Sequence, residues 1–191
     1  DCLYCPNDLR MPKSYVADEP ACQRAERNWF DPYLQVASRL RALNEMGHVT
    51  DKVELIILGG TWNDYPAGYR RWFVCELFRA LNEAADPRLA EASAEKRRAR
   101  YERLGIPRDE EGCARRVAEA QQRVNREGIP YNQAFPELYG EGTPWQEAAA
   151  WQTAAWDDVE RQHASNEHGA HRVVGLVMET RPDAVDAQAF A

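Results

Sequence analysis

Apolar positions along this chain follow two different periods. Leu34, Ala37, Leu40, Leu43 and Met46 recur at the spacing of one helix face, as do Tyr69, Trp72, Phe73, Leu77 and Leu81. Asp31-Pro32 gives the first of these helices an N-cap acceptor and a first-turn proline, and Gly47 supplies its stop. The second helix starts near Pro66. Val53–Leu58 and Arg172–Met178 are nearly unbroken aliphatic runs, a pattern that predicts strands buried on both faces, as in a parallel sheet. Strand, helix, strand in this order predicts a parallel βα unit with a right-handed crossover.

A long helical region separates the two strands. Glu91–Leu104 reads as a charged helix, and Asp109 caps another through Arg126 with Ala114, Val117, Ala120 and Val124 as its apolar stripe. Thr143-Pro144-Trp145-Gln146 opens a third, carrying Trp145, Trp151 and Trp156. The proline-bearing stretch from Asp1 to Pro20 lacks periodicity and reads as a loop. The expected organisation is a core segment 1–85, a helical insertion 86–151 and a continuation of the core over 152–191.

Composition narrows the classes. The 191 residues carry 24 Lys and Arg against 31 Asp and Glu, a net charge of −7, which disfavours a nucleic-acid binder that uses its whole surface. A local basic groove stays open, with Arg24, Arg27, Arg70 and Arg71 as candidate phosphate contacts against a plain solvated role. No apolar run is long enough to predict a membrane span. The five cysteines are an odd number and only Cys2 and Cys5 are closely spaced, which predicts a reducing cytoplasmic compartment rather than a disulfide framework. Beginning inside a cysteine pair without Met predicts a piece of a longer chain.

Cys2-Leu3-Tyr4-Cys5 places two thiolates where they can share one metal or cluster, and a zinc half-site, a redox pair or two cluster ligands would all have this spacing. Gly59-Gly60 ends the first strand, either as a tight turn or as backbone that a ligand can approach closely. Glu179 and Arg181 follow the second strand on the same expected rim, where a ligand contact and a simple ion pair are both open. Lys52 reads as a solvated turn lysine. His163, His168 and His171 are close in sequence but are not read as a metal site.

Taken together, the segments around Ser14–Pro20, Arg24–Asn28, Asp31–Gln35, Gly47-His48, Asp51–Glu54, Leu58–Trp62, Asn166-Glu167, His171–Leu176 and Glu179–Asp183 resemble the radical S-adenosylmethionine (SAM) domain of the elongator complex protein 3 family. The resemblance runs over Cys2 to Leu81 and Trp156 to Asp183. It implies a partial radical SAM (βα) barrel with cofactors at the C-terminal ends of its strands. It also implies that Cys2 and Cys5 are two of three ligands to a [4Fe–4S] cluster, the first lying upstream. Gly59, Gly60 and Thr61, with Glu179 and Arg181, would face SAM, and Lys52 would serve acetyl-CoA. The implied activity is tRNA uridine(34) acetyltransferase-type modification at C5 of the wobble uridine, on the anticodon stem-loop, with other Elongator subunits or a second copy as partners. Two departures stand out: Pro6-Asn7-Asp8 replaces a glycine-rich turn, and 86–151 has no counterpart, which makes it an expected accessory layer outside the cofactor site. The alternatives are another radical SAM iron–sulfur oxidoreductase or a non-enzymatic helical module with a zinc half-site.

Overall fold

The computed structural model describes residues 5–13 and 15–185. In chain order its elements are α1 (Pro20–Arg27), α2 (Pro32–Glu45), β1 (Lys52–Ile57), α3 (Ala67–Glu83), α4 (Pro87–Arg103), α5 (Glu110–Glu127), α6 (Tyr131–Tyr139), α7 (Pro144–Ala149), α8 (Trp156–Asn166) and β2 (Arg172–Met178). Short 3-10 turns follow the two strands at Trp62–Asp64 and Pro182–Ala184. The fold is mixed α/β, mostly helical, with a small sheet of two parallel strands among the described residues. The chain divides into a sheet unit, Asp31–Arg97 with Gln152–Ala191, and a helical unit, Asp1–Phe30 with Arg98–Trp151.

In the sheet unit β1 pairs with β2 from Lys52–Arg172 to Ile57–Met178, and Val174 is an extra residue where the register shifts after Val53. Val53, Leu55, Ile57, Val173, Leu176 and Met178 pack into a core with Trp62, Val74, Leu77, Phe78 and Leu81 of the following turn and α3, and with Val159 of α8. Helices therefore cover one face. Ile56, Val174 and Val177 on these strands are exposed, so the expectation of strands buried on both faces is corrected. A two-stranded sheet with helices on one side has only one face to hide, and period-two burial replaces the continuous burial of a doubly covered sheet.

Local signals hold where they have a mechanism. Asp31 accepts a hydrogen bond from the Leu34 amide at 3.0 Å, and Gly47 adopts φ +80° after α2, a left-handed stop that suits a residue without Cβ. Buried Glu76 on α3 is held by Arg97, whose Nε lies 3.0 Å away. The Arg97 guanidinium also sits 3.8 Å over the Tyr33 ring, and Tyr33 donates to Glu83 at 2.8 Å. Burial first, and then the Glu83 carboxylate, push the Tyr33 hydroxyl far above its ordinary pKa. Asn166, at the end of α8, is buried and fully engaged. It donates to Asn82 (2.8 Å) and to the His171 carbonyl (3.0 Å), and accepts from the Val173 amide (2.8 Å).

In the helical unit Asp109 caps α5 through the Gly112 amide at 2.8 Å, and Gly128 ends it at φ +72°. Val117, Ala120 and Val124 of the expected stripe are buried with Tyr131 and Ala134 of α6 and with Leu9 from the N-terminal segment, while Ala114 is only half-buried. Trp29 stacks on Tyr101 with ring centres 5.3 Å apart and donates to the Ile106 carbonyl at 2.8 Å.

Two helices form without a strong local signal, and one expected helix is divided. α1 forms after Pro20 without a side-chain cap, and α6 forms although it contains Pro136, a residue that ordinarily breaks helices. The helix opened by Thr143 is only six residues long, and Trp156 starts a separate one, α8. Between them the chain extends, and the Ala154 amide bonds to the Gly68 carbonyl instead of continuing a helix.

Candidate functional site

The site is built at the C-terminal end of the two strands. The Glu179 amide donates to the Ile57 carbonyl at 3.1 Å, extending the strand pairing by one step. The chain then turns at Gly59, where φ is +100°, and the Gly59 amide donates to Glu179 Oε2 at 3.0 Å. One strand end thus fastens the other. A Cβ on Gly60 would lie 3.1 Å from the Tyr65 hydroxyl, so the second glycine is set by a close approach. Thr180 donates to Asn63 Oδ1 at 3.2 Å, a second side-chain tie across the same rim.

Gly59, Gly60, Thr61, Glu179 and Arg181, separated by up to 122 positions, therefore come to one end of the sheet. Arg181 forms a two-pronged pair with Asp183 at 3.0 and 2.9 Å, which holds the exposed Asp183 carboxyl below its ordinary pKa. Glu179 is also exposed, and a carboxylate that accepts one backbone N–H retains acceptor capacity for a cationic group. Sequence reasoning did not pick out Asn63 and Tyr65. The signal was their place in the turn directly after the glycines, where any side chain is forced back onto the rim.

Lys52 stands apart. It is exposed at the first position of β1, and a strand of this length puts it about 20 Å from the Gly59 rim. Cys5 belongs to the helical unit and is of intermediate exposure, whereas Cys2 lies outside the described residues. Among the described residues no group of three or more His, Cys, Asp or Glu side chains is placed to hold a metal ion. Cys22, Cys75 and Cys113 are buried thiols whose pKa values burial pushes up, that of Cys113 to about 12. Arg24 and Arg27 are exposed on the last turn of α1, while Arg71 is tied to the Ala154 carbonyl at 2.8 Å. His171 contacts the Thr50 carbonyl through Nδ1 at 2.8 Å, and His163 packs on Phe78 with ring centres 4.0 Å apart, so both have structural surroundings. Among the described residues no helix is long and apolar enough to cross a membrane.

No protein-family model matches the chain. A tRNA uridine(34) acetyltransferase of Dehalococcoides mccartyi is 40% identical to it over 105 residues, 55% of this chain and 23% of that protein. Elongator complex protein 3 of Drosophila melanogaster is 37% identical over 110 residues, 55% of this chain and 20% of that protein. Over about half its length the chain is similar to part of elongator complex protein 3. The human elongator complex protein 3 is 36% identical over 110 residues, again 55% of this chain and 20% of the relative. A second tRNA uridine(34) acetyltransferase, from Methanocaldococcus infernus, is 42% identical over 96 residues, 48% of this chain and 18% of that protein. The chain spans about a fifth of the length of the elongator complex protein 3 and tRNA uridine(34) acetyltransferase relatives it matches.

Proposed function

We propose that this chain is part of a tRNA-modifying enzyme of the radical SAM type, acting at C5 of the wobble uridine with acetyl-CoA as co-substrate. The likeness to proteins named tRNA uridine(34) acetyltransferase and elongator complex protein 3 sets the direction. The observation that carries the reading is the fastening of Gly59 by Glu179 at the C-terminal ends of two parallel strands, since barrel enzymes build their sites on that end. The exposed sheet face is also what a further set of strands would enclose if the pair belongs to a (βα) barrel.

In this reading the Gly59–Thr61 turn lets a ligand lie against backbone, and Glu179 offers a carboxylate to the ammonium group of SAM. Arg181 is committed to Asp183 and would shape the rim rather than grip the ligand. Lys52, at the far end of β1, would meet acetyl-CoA away from that rim. The described residues supply one thiol, Cys5, toward an iron–sulfur cluster, which is fewer than a cluster needs, and no chemical step is assigned through it. tRNA, with Arg24, Arg27, Arg70 and Arg71 as candidate phosphate contacts, and Elongator subunits or a second copy are the partners this function would call for.

Equilibrium binding of SAM tests the proposal. Glu179→Ala should weaken SAM about tenfold, the size of losing one charge-assisted contact, while Arg181→Ala should change it far less. Binding that is indifferent to Glu179 would remove the rim from the cofactor site.

A further inference from the structure

The helical unit contains an arrangement that neither the barrel likeness nor the rim requires. Residues 7–11, just after Cys5, form no helix or strand, yet Leu9 and Met11 are among the most buried side chains, at 0% and 1% exposure. Their backbone groups must then find partners elsewhere. Apart from the Met11 amide, which bonds to the Asp8 carbonyl, those partners are side chains of α5 and α6, more than a hundred positions away. The Leu9 amide donates to Gln121 Oε1 at 2.7 Å, and Gln121 Nε2 donates to the Asn7 carbonyl at 2.9 Å. Tyr139 donates to the Leu9 carbonyl at 2.6 Å, and Tyr131 donates to the Met11 carbonyl at 2.9 Å. Arg116 in turn donates to the Tyr139 hydroxyl at 2.7 Å, and Arg10 reaches Glu110 at the start of α5 at 3.7 Å.

We propose that α5 and α6 are a clamp whose purpose is to position the segment that follows Cys5, with Gln121, Tyr131 and Tyr139 as its positioning residues. Four hydrogen bonds from three side chains, added to the packing of Leu9 between Val117, Val124 and Tyr131, give an irregular segment one conformation. Within the segment itself the Met11 amide bonds to the Asp8 carbonyl at 3.2 Å and the Arg10 amide to Asp8 Oδ1 at 2.9 Å, and the rest of its order is borrowed from the helices. Part of the helical region expected as an accessory layer thus grips the segment that follows Cys5 directly. What the Cys5 thiol then does rests on the proposed function, but the clamp itself does not.

The experiment is hydrogen–deuterium exchange of residues 7–11 in the whole chain, with the alkylation rate of Cys5 by iodoacetamide as a second readout. Gln121→Ala and Tyr139→Phe should each speed exchange at Leu9 about fivefold or more, as expected for each lost bond to a part-buried group, and should speed alkylation in step. Tyr139→Phe keeps the ring that stacks on Phe135, and Gln121→Glu keeps an acceptor for the Leu9 amide and should stay closer to the parent chain. Val124→Ala is the control, since it loosens the same core without touching any of the four bonds. If Val124→Ala opens residues 7–11 as much as Gln121→Ala at equal loss of thermal stability, the bonds have no positioning role and the proposal fails. Unchanged exchange in Gln121→Ala and Tyr139→Phe would also overturn it. SAM binding that is indifferent to Glu179→Ala would sink the proposed function alone, with the clamp still judged by exchange.

Discussion

In the sheet unit β1 and β2 satisfy each other's backbone groups along the shared register, so that pairing is independent of which side chains line the strands. In the helical unit residues 7–11 depend on Gln121, Tyr131 and Tyr139 for the same service. The difference sets how each region tolerates change. A ladder survives most single substitutions, whereas a segment held by side chains can be released by one. Both regions carry candidate chemistry, and in both it is residues distant in sequence that meet.

The largest effects should come from the two cores. Leu81→Ala in the sheet unit and Leu9→Ala in the helical unit remove side chains that are 1% and 0% exposed, and each should cost about 2–5 kcal/mol in chemical denaturation. The contrast sharpens if amide exchange after Leu9→Ala rises at 7–11 more than at α5. Equal rises would erase the distinction between ladder and clamp. Next in size is Asn166→Ala, which leaves the part-buried Val173 amide, the His171 carbonyl and Asn82 short of a partner and should cost about 2 kcal/mol. Asn166 shows that the sheet unit too depends on a side chain at the start of β2, and the urea midpoint measures it.

Smaller again is Glu179→Ala, at about 1 kcal/mol or less because the carboxylate is exposed, with faster exchange of the Gly59 amide as its signature. The smallest effect is a pH dependence. Partial desolvation where its ring lies on Phe78 of α3 holds His163 below its ordinary value of 6.5, so the unfolded chain takes up the proton first. The stabilisation linked to the neutral ring is complete above pH 6.5 and is lost as pH falls from there through the lowered folded value. Denaturant midpoints of His163→Phe should therefore fall less on acidification than those of the parent chain.

Elements with a local cause were legible in the sequence. Asp31-Pro32 and Asp109 cap their helices, Gly47 stops one, and the two aliphatic runs became paired parallel strands. The meeting of Gly59 with Glu179 followed from that topology. The open face of the sheet was not legible, because an aliphatic run states what a strand could bury and not what covers it. Nor was α6, whose Pro136 argues against a helix until packing with Leu9 and α5 overrides it. The clamp was hidden for the same reason: Gln121, Tyr131 and Tyr139 have no spacing signal that links them to residues 7–11. Cys2, the other half of the cysteine pair, lies outside the described residues, and Lys52 proved to sit at the end of β1 opposite the rim.

The uncovered sheet face has a practical consequence for colloidal behaviour. Ile56, Leu58, Val174 and Val177 are 55%, 54%, 64% and 47% exposed, an aliphatic patch on and just beyond strands that have one paired neighbour each among the described residues. Apolar strands with open edges recruit other strands, and the exposed charges of these strands, Lys52, Glu54 and Arg172, lie toward their N-terminal ends rather than beside Leu58 and Val177. Its solutions should scatter light increasingly with concentration, and Ile56→Lys, which leaves the buried side of β1 untouched, is the gatekeeper that would keep them clear.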